Sequence, residues 1–196
     1  MELVVVIILS IVLCFYIIKF VQVLVKMNRK VLIPNHEADL KAIRVHVEKD
    51  VNAPTYASQK MGIIIYTCLL LLILVLFILA VSFKILVTPL YVFIFLPFMN
   101  FGNVINLFAV TDEGILVGNR FIAWEHIKSH KFVTIDVNHK FYGYSKEVDE
   151  KYELKIQTKG FPAYCIVTTN EMKEKLNNIM DKYAIYNNES KRAGLH

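Results

Sequence analysis

Residues 61–83 read MGIIIYTCLLLLILVLFILAVSF, a run without one charged side chain. At 1.5 Å per residue a helix of this length measures about 34 Å, enough to cross a hydrocarbon core of roughly 30 Å. Working outward, a second apolar run, Leu3 to Ile18, opens the chain. A third, Ile85 to Leu107, follows the first and contains Pro89 and Pro97. Apolar residues make up 56% of the chain, charged residues 20%, and the mean hydropathy is +0.46. The remaining polar structure is too small to enclose three such helices, so the composition predicts an integral membrane protein.

The first run is read as a retained anchor. A cleaved signal needs a basic n-region and a small-residue cleavage site, whereas this chain begins Met1-Glu2 and enters its apolar run directly. The third run is expected to start at Thr88-Pro89, a cap followed by proline at the first helical position. Pro97 should kink it, and Asn100, Gly102, Asn103 and Asn106 give it a polar end. Between the first two runs lie Lys19, Lys26, Arg29, Lys30, Lys41, Arg44, Lys49 and Lys60. The positive-inside rule then puts this connector in the cytoplasm and the N-terminus outside. A third crossing would return the C-terminal part to the cytoplasm. The expected organisation is an N-terminal anchor (1–25), a basic connector (26–60), a helical hairpin (61–107), a polar domain (108–186) and a fraying tail (187–196).

Past Asn106 the pattern breaks into short, punctuated strands. Residues 107–110 and 115–117 flank the turn Thr111-Asp112-Glu113-Gly114 and predict a β-hairpin. Phe121 to Trp124, Ser129 to Val137, Tyr152 to Thr158 and Phe161 to Val167 read as further strands, with Pro162 tolerated at an edge or strand start. Met172, Leu176, Ile179, Met180 and Tyr183 then form one face of a helix of about 14 residues behind a polar cap. The fold class is α+β: three transmembrane helices plus a small antiparallel β domain capped by a C-terminal helix. In the connector, Ile43, Val45 and Val47 alternate with polar residues, which predicts a strand that pairs with or covers the C-terminal domain.

The order of a helix pair, then Val110-Thr111-Asp112-Glu113-Gly114-Ile115, then Phe121-Ile122-Ala123-Trp124-Glu125-His126-Ile127 resembles bacterial membrane proteins with a pleckstrin-homology-like cytoplasmic domain, including the YcxB-like group. The resemblance covers about residues 61–184. It implies that the acidic-Gly-Ile turn begins the sheet, that Ile122, Trp124 and Ile127 pack its early strands, and that the role is scaffolding or binding rather than a reaction.

The residues carry no nucleotide, zinc-protease, dithiol or serine-hydrolase motif. Cys14, Cys68 and Cys165 have no metal or redox spacing. His126 and His130 stand four apart on what reads as strand and turn, and His36 and His46 are isolated. Asp149, Glu150 and Glu153 interleave with Lys146, Lys151 and Lys155 and read as a solvated charged surface. Trp124 reads as core. The candidate interaction surface is therefore the aromatic-basic loop Lys140, Phe141, Tyr142, Tyr144 and Lys146, together with Arg29 and Lys30 of the connector. No catalytic residue, metal or cofactor is expected. The expected partners are membrane lipids and a membrane protein or second copy of the chain, not nucleic acid. Anionic-lipid recognition and a subunit role in a transporter complex are the alternatives.

Overall fold

The computed structural model describes residues 2–82 and 104–193. The expected third crossing lies outside the described residues, except for its end at 104–107, which is not helical.

Among the described residues two helices are long and apolar enough to cross a membrane: α1 (Glu2–Met27) and α3 (Tyr56–Ser82). Both extend beyond the runs that revealed them. α1 carries on through Lys19 to Met27. α3 begins at Tyr56 because Thr55, behind Pro54, caps it, its hydroxyl accepting from the Ser58 N–H. Leu13, Phe20, Val23 and Met27 form the buried stripe of α1, and Tyr66, Leu70, Ile73 and Phe77 lie on that of α3. Phe20 and Tyr66 meet with ring centroids 4.6 Å apart. The opposite faces, with Ile7, Ile11 and Ile18 on α1 and Leu71, Leu72 and Ile78 on α3, are exposed.

The remaining elements make two four-stranded antiparallel sheets. β3 (Phe108–Thr111), β4 (Gly114–Val117) and β5 (Arg120–Ala123) form a meander, with Val110 opposite Ile115 across the predicted hairpin. β6 (Ile127–Thr134), β7 (Tyr152–Thr158) and β8 (Ala163–Val167) form a second. The connector completes both. Its β1 (Val31–Ile33) pairs with β3, and its β2 (Ile43–Arg44), after the short helix α2 (Glu37–Lys41), pairs with β8. The expected connector strand pairs with the C-terminal domain but is only two residues long, Ile43 lying opposite Val167 and within the core, while Val45 to Val47 leave the strand for a turn.

Strand periodicity explains why β3 and β4 are buried at every position. Phe108, Val110, Ile115 and Val117 point between the sheets, while Ala109 and Leu116, on the other face, pack against α1 and α3. The inner core is closed by α4 (Asn170–Ala193), whose Met172, Leu176 and Met180 lie on it. The Thr169 hydroxyl caps α4 by accepting from the Met172 N–H. The helix is longer than its apolar stripe suggests, and the backbone of 187–193 is helical rather than frayed. No glycine or proline interrupts the chain between Pro162 and Gly194, so nothing local stops the helix earlier.

Trp124 lies in a 3₁₀ turn after β5 rather than on the strand. Its indole Nε1 donates to the carbonyls of Thr111 and Asp112, and its ring stacks on Tyr183 at 4.3 Å. It is a core residue, as expected. Gly114, in the predicted turn, is required by close approach: a Cβ there would sit 2.2 Å from the Ile122 carbonyl oxygen and 2.8 Å from the Ala123 Cα. Gly114→Ala is therefore expected to cost about 3 kcal/mol by forcing β4 and β5 apart. A thermal melt of the full chain in detergent checks this, and an unchanged midpoint would contradict it.

Candidate interaction surface

The segment between β6 and β7 is an ordered lid on the outer face of the second sheet. Alternation along β7 turns Tyr152, Leu154 and Ile156 toward the core or its margin and Glu153 and Lys155 outward. The outer face would be solvated if 135–151 did not fold across it. Ile135, Val148 and Ile166 make a small cluster there, with Val47 of the connector and Phe141 against its edge. The Ile135 N–H donates to the Lys151 carbonyl at 2.7 Å, and the Glu150 N–H donates to the Ile135 carbonyl at 2.9 Å. Gly143 turns the chain at φ +81°, and its N–H donates to the Asp149 carboxylate at 2.8 Å.

Glu153 holds this lid. Its side chain has no solvent-exposed surface and lies 2.9 Å from His139 Nε2, 3.0 Å from Lys155 Nζ and 3.2 Å from Lys140 Nζ. Burial opposes its ionisation, but the bonds from Lys155, His139 and Lys140 outweigh that and hold its carboxyl below the usual glutamate range. Of the carboxylates read as solvated surface, Glu153 is thus the correction: the lid covers it, and three nitrogen groups compensate it. Lys140 also sits over the rings of Phe141 and Tyr164, at 4.5 and 4.9 Å.

Arg44 ties connector and lid together. Its nearly buried guanidinium donates to the Asp50 carboxylate at 2.9 Å and to the Val47 carbonyl at 3.1 Å, and it pairs with Glu147 of the lid. On the opposite side of the domain Lys175 of α4 donates to Asp39 at 2.7 Å. The Asp39 carboxyl is lowered: burial resists, and bonds from Lys175 and the Asn35 N–H prevail.

The seven candidate residues fall into two places. In the lid, Lys140 and Phe141 are engaged by the fold, while Tyr142, Tyr144 and Lys146 face outward, Tyr144 being 69% exposed. Arg29 and Lys30 lie where α1 meets β1. There Arg29 stands 3.5 Å from Glu113, which also pairs with Lys26. The lysine bond, helped by Arg29, holds the Glu113 carboxyl below its ordinary range. Arg29 and Met27 border a cleft of about 470 Å³ against Pro34, His36 and Thr55. The histidines do not converge: His126 stands 3.7 Å from Glu125, and His130 bonds Asn177 and lies 3.5 Å from Asp181 on α4. Among the described residues no group of three metal-ligating side chains comes together. Burial and the Glu153 charge push the Cys165 thiol up, so it stays protonated at neutral pH and is a poor nucleophile.

The sequence reading missed Arg44, Asp39, His139 and Glu153. Each is an ordinary charged or polar residue in its local pattern, and the pairs that join distant parts of the chain, Arg44 with Glu147, Asp39 with Lys175 and His139 with Glu153, show only in the fold.

Helices, sheets and lid together define a class: an α+β module with two candidate membrane helices packed against one of its antiparallel sheets. A family model described as a domain of unknown function, DUF5673, matches residues 106–185, from just before β3 into α4. No curated protein and no solved structure gives a significant match.

Proposed function

We propose that the chain is a non-catalytic interaction protein of the cell membrane, which presents a pleckstrin-homology-like cytoplasmic domain to a membrane protein partner. In this reading α1 and α3 cross the bilayer with the N-terminus outside, and the third apolar run returns the chain to the cytoplasm. The observation that carries the proposal is the docking of the domain on the helices. Ala109, Leu116 and Phe121 pack with Phe20, Tyr66 and Val23. The Asn119 side-chain amide donates to the Tyr66 hydroxyl at 3.1 Å, and Gln59 of α3 donates to the Asn106 carbonyl at 3.0 Å.

Such a mount removes the freedom a flexible linker would leave. It lowers the entropy lost when a second membrane protein engages the exposed surface. That surface is the lid, where Tyr142, Tyr144 and Lys146 stand on a segment already ordered by Glu153 and Arg44. Exposed tyrosine on a rigid support supplies contact area at low entropic cost.

A photo-crosslinking residue at Tyr144 in intact membranes should give one discrete protein adduct, whose yield falls when Tyr142 and Lys146 are both replaced by serine. The same probe at Asn178, on the exposed side of α4, should not. Equal diffuse labelling from both positions would refute the proposal.

A further inference from the structure

We infer that the β7–β8 turn, residues 159–162, is a membrane-contacting tip that seats Phe161 in the headgroup layer of an anionic leaflet. The inference goes beyond the protein-partner proposal but rests on the same reading of α1 and α3 as membrane-crossing.

Phe161 is 82% exposed, more than any other large apolar side chain among those described. The turn beneath it is firmly built. The Thr158 hydroxyl accepts from the Gly160 N–H at 3.1 Å and donates to the Phe161 carbonyl at 2.9 Å. The Lys159 N–H donates to the His126 carbonyl at 2.9 Å, and the Arg120 guanidinium donates to the Pro162 carbonyl at 3.1 Å. Thr158, Lys159, Gly160 and Pro162 thus hold an aromatic ring out in solvent. A ring so fixed and so exposed has an unpartnered apolar surface unless something outside the domain covers it.

Position indicates what covers it. Arg120, which grips the turn, is preceded by Asn119, whose amide reaches Tyr66 in α3. It is followed by Phe121, whose ring lies under Lys26 of α1 at 5.2 Å. Through Arg120 the tip is thus tied to the start of β5, the strand that packs on α1, whose last turns leave Val21 and Val25 exposed. Those residues mark the level at which an apolar helix gives way to Lys26, Arg29 and Lys30. Lys159, exposed beside Phe161, adds a cation at that level. An aromatic ring with flanking cations suits the boundary between acyl chains and anionic headgroups. A second copy of the chain is the other possible cover, but it would not require the ring to sit level with the helix ends.

The test uses the full chain with Cys14→Ala and Cys68→Ala, leaving Cys165 buried and unreactive, in nanodiscs of phosphatidylglycerol and phosphatidylethanolamine. An environment-sensitive fluorophore is placed at Phe161→Cys, at Leu72→Cys on the exposed face of α3, and at Tyr144→Cys. Lipids spin-labelled near the headgroup should quench the Phe161 probe at least about twofold, and iodide in the water should barely reach it. The Tyr144 probe should show the reverse. If deep spin labels quench Leu72 while Phe161 responds to iodide alone, the tip does not touch lipid and the inference fails with the membrane reading intact. If the Phe161 probe is shielded from both quenchers, a protein covers it and the inference fails as well. An unquenched Leu72 probe would remove the membrane reading, and the inference with it.

Discussion

A chain reduced to residues 104–196 is expected to lose cooperative unfolding, even though it holds six of the eight strands among the described residues and the closing helix. The connector contributes Ile33 and Ile43, both fully buried, along with Ala42 and Val51. Burial of an aliphatic side chain of that size stabilises by about 1.5–3 kcal/mol. Losing several of them takes away much of a total that is typically about 5–15 kcal/mol. The truncation also strips β1 from β3 and β2 from β8, turning β3 and β8 into edge strands. It bares Ala109, Leu116 and Phe121 where α1 and α3 had covered them. Hydrogen exchange gives the measurement, because the amides around Ile166 and Val167 lie opposite Arg44 and Ile43. They should exchange at least about a hundredfold faster in the fragment. A fragment with a sharp melt near that of the full chain would show that the connector is dispensable. Within the intact chain, Ile43→Ala should cost about 2–5 kcal/mol.

Glu153→Gln should release the lid and lower stability by about 2–3 kcal/mol, the smaller part of what breaking a buried ion pair costs, because Lys140 and Lys155 remain partly in water. The amide keeps the volume and some hydrogen bonding to His139 but leaves Lys140 and Lys155 without their counter-charge. Faster exchange at Phe141 and Gly143, with the β3–β4 hairpin unchanged, would locate the loss in the lid. A variant within about 0.5 kcal/mol of the parent would mean the network is energetically idle. The pH dependence has a definite sign. Glu153, Asp39 and Glu113 all have folded-state carboxyl pKa values held below their ordinary range. Their contribution is therefore complete above the unfolded carboxylate values and disappears as pH falls through the lower folded ones. Denaturant midpoints should hold near neutrality and drop below about pH 4. Glu153→Gln should flatten part of that drop.

Some of this was legible residue by residue. The β3–β4 hairpin follows from two apolar runs around Asp112-Glu113-Gly114, and the α4 face follows from Met172, Leu176 and Met180. The length of α4 did not, because its stripe ends before its helix-permitting residues do. The buried faces of α1 and α3 were not legible at all. Leucine, isoleucine and valine surround both helices, so no moment separates the side facing Tyr66 from the side facing outward. The lid network was hidden for a different reason. Arg44, Glu147 and Glu153 are individually typical of solvated surface, and their roles come from partners brought in from distant parts of the chain.

By itself the sequence determined that long apolar runs with uncharged interiors dominate the first half, that a punctuated β module with a capped helix follows, and that the connector carries one strand. Local pattern suffices for these because hydrophobic length, turn residues and periodicity act over a few neighbours. Only the tertiary structure decided that the connector feeds both sheets, that the first sheet is buried on two sides, and that Glu153 lies under a lid beside three nitrogen groups. Those outcomes depend on which distant surfaces meet, and side-chain spacing along the chain carries no record of that.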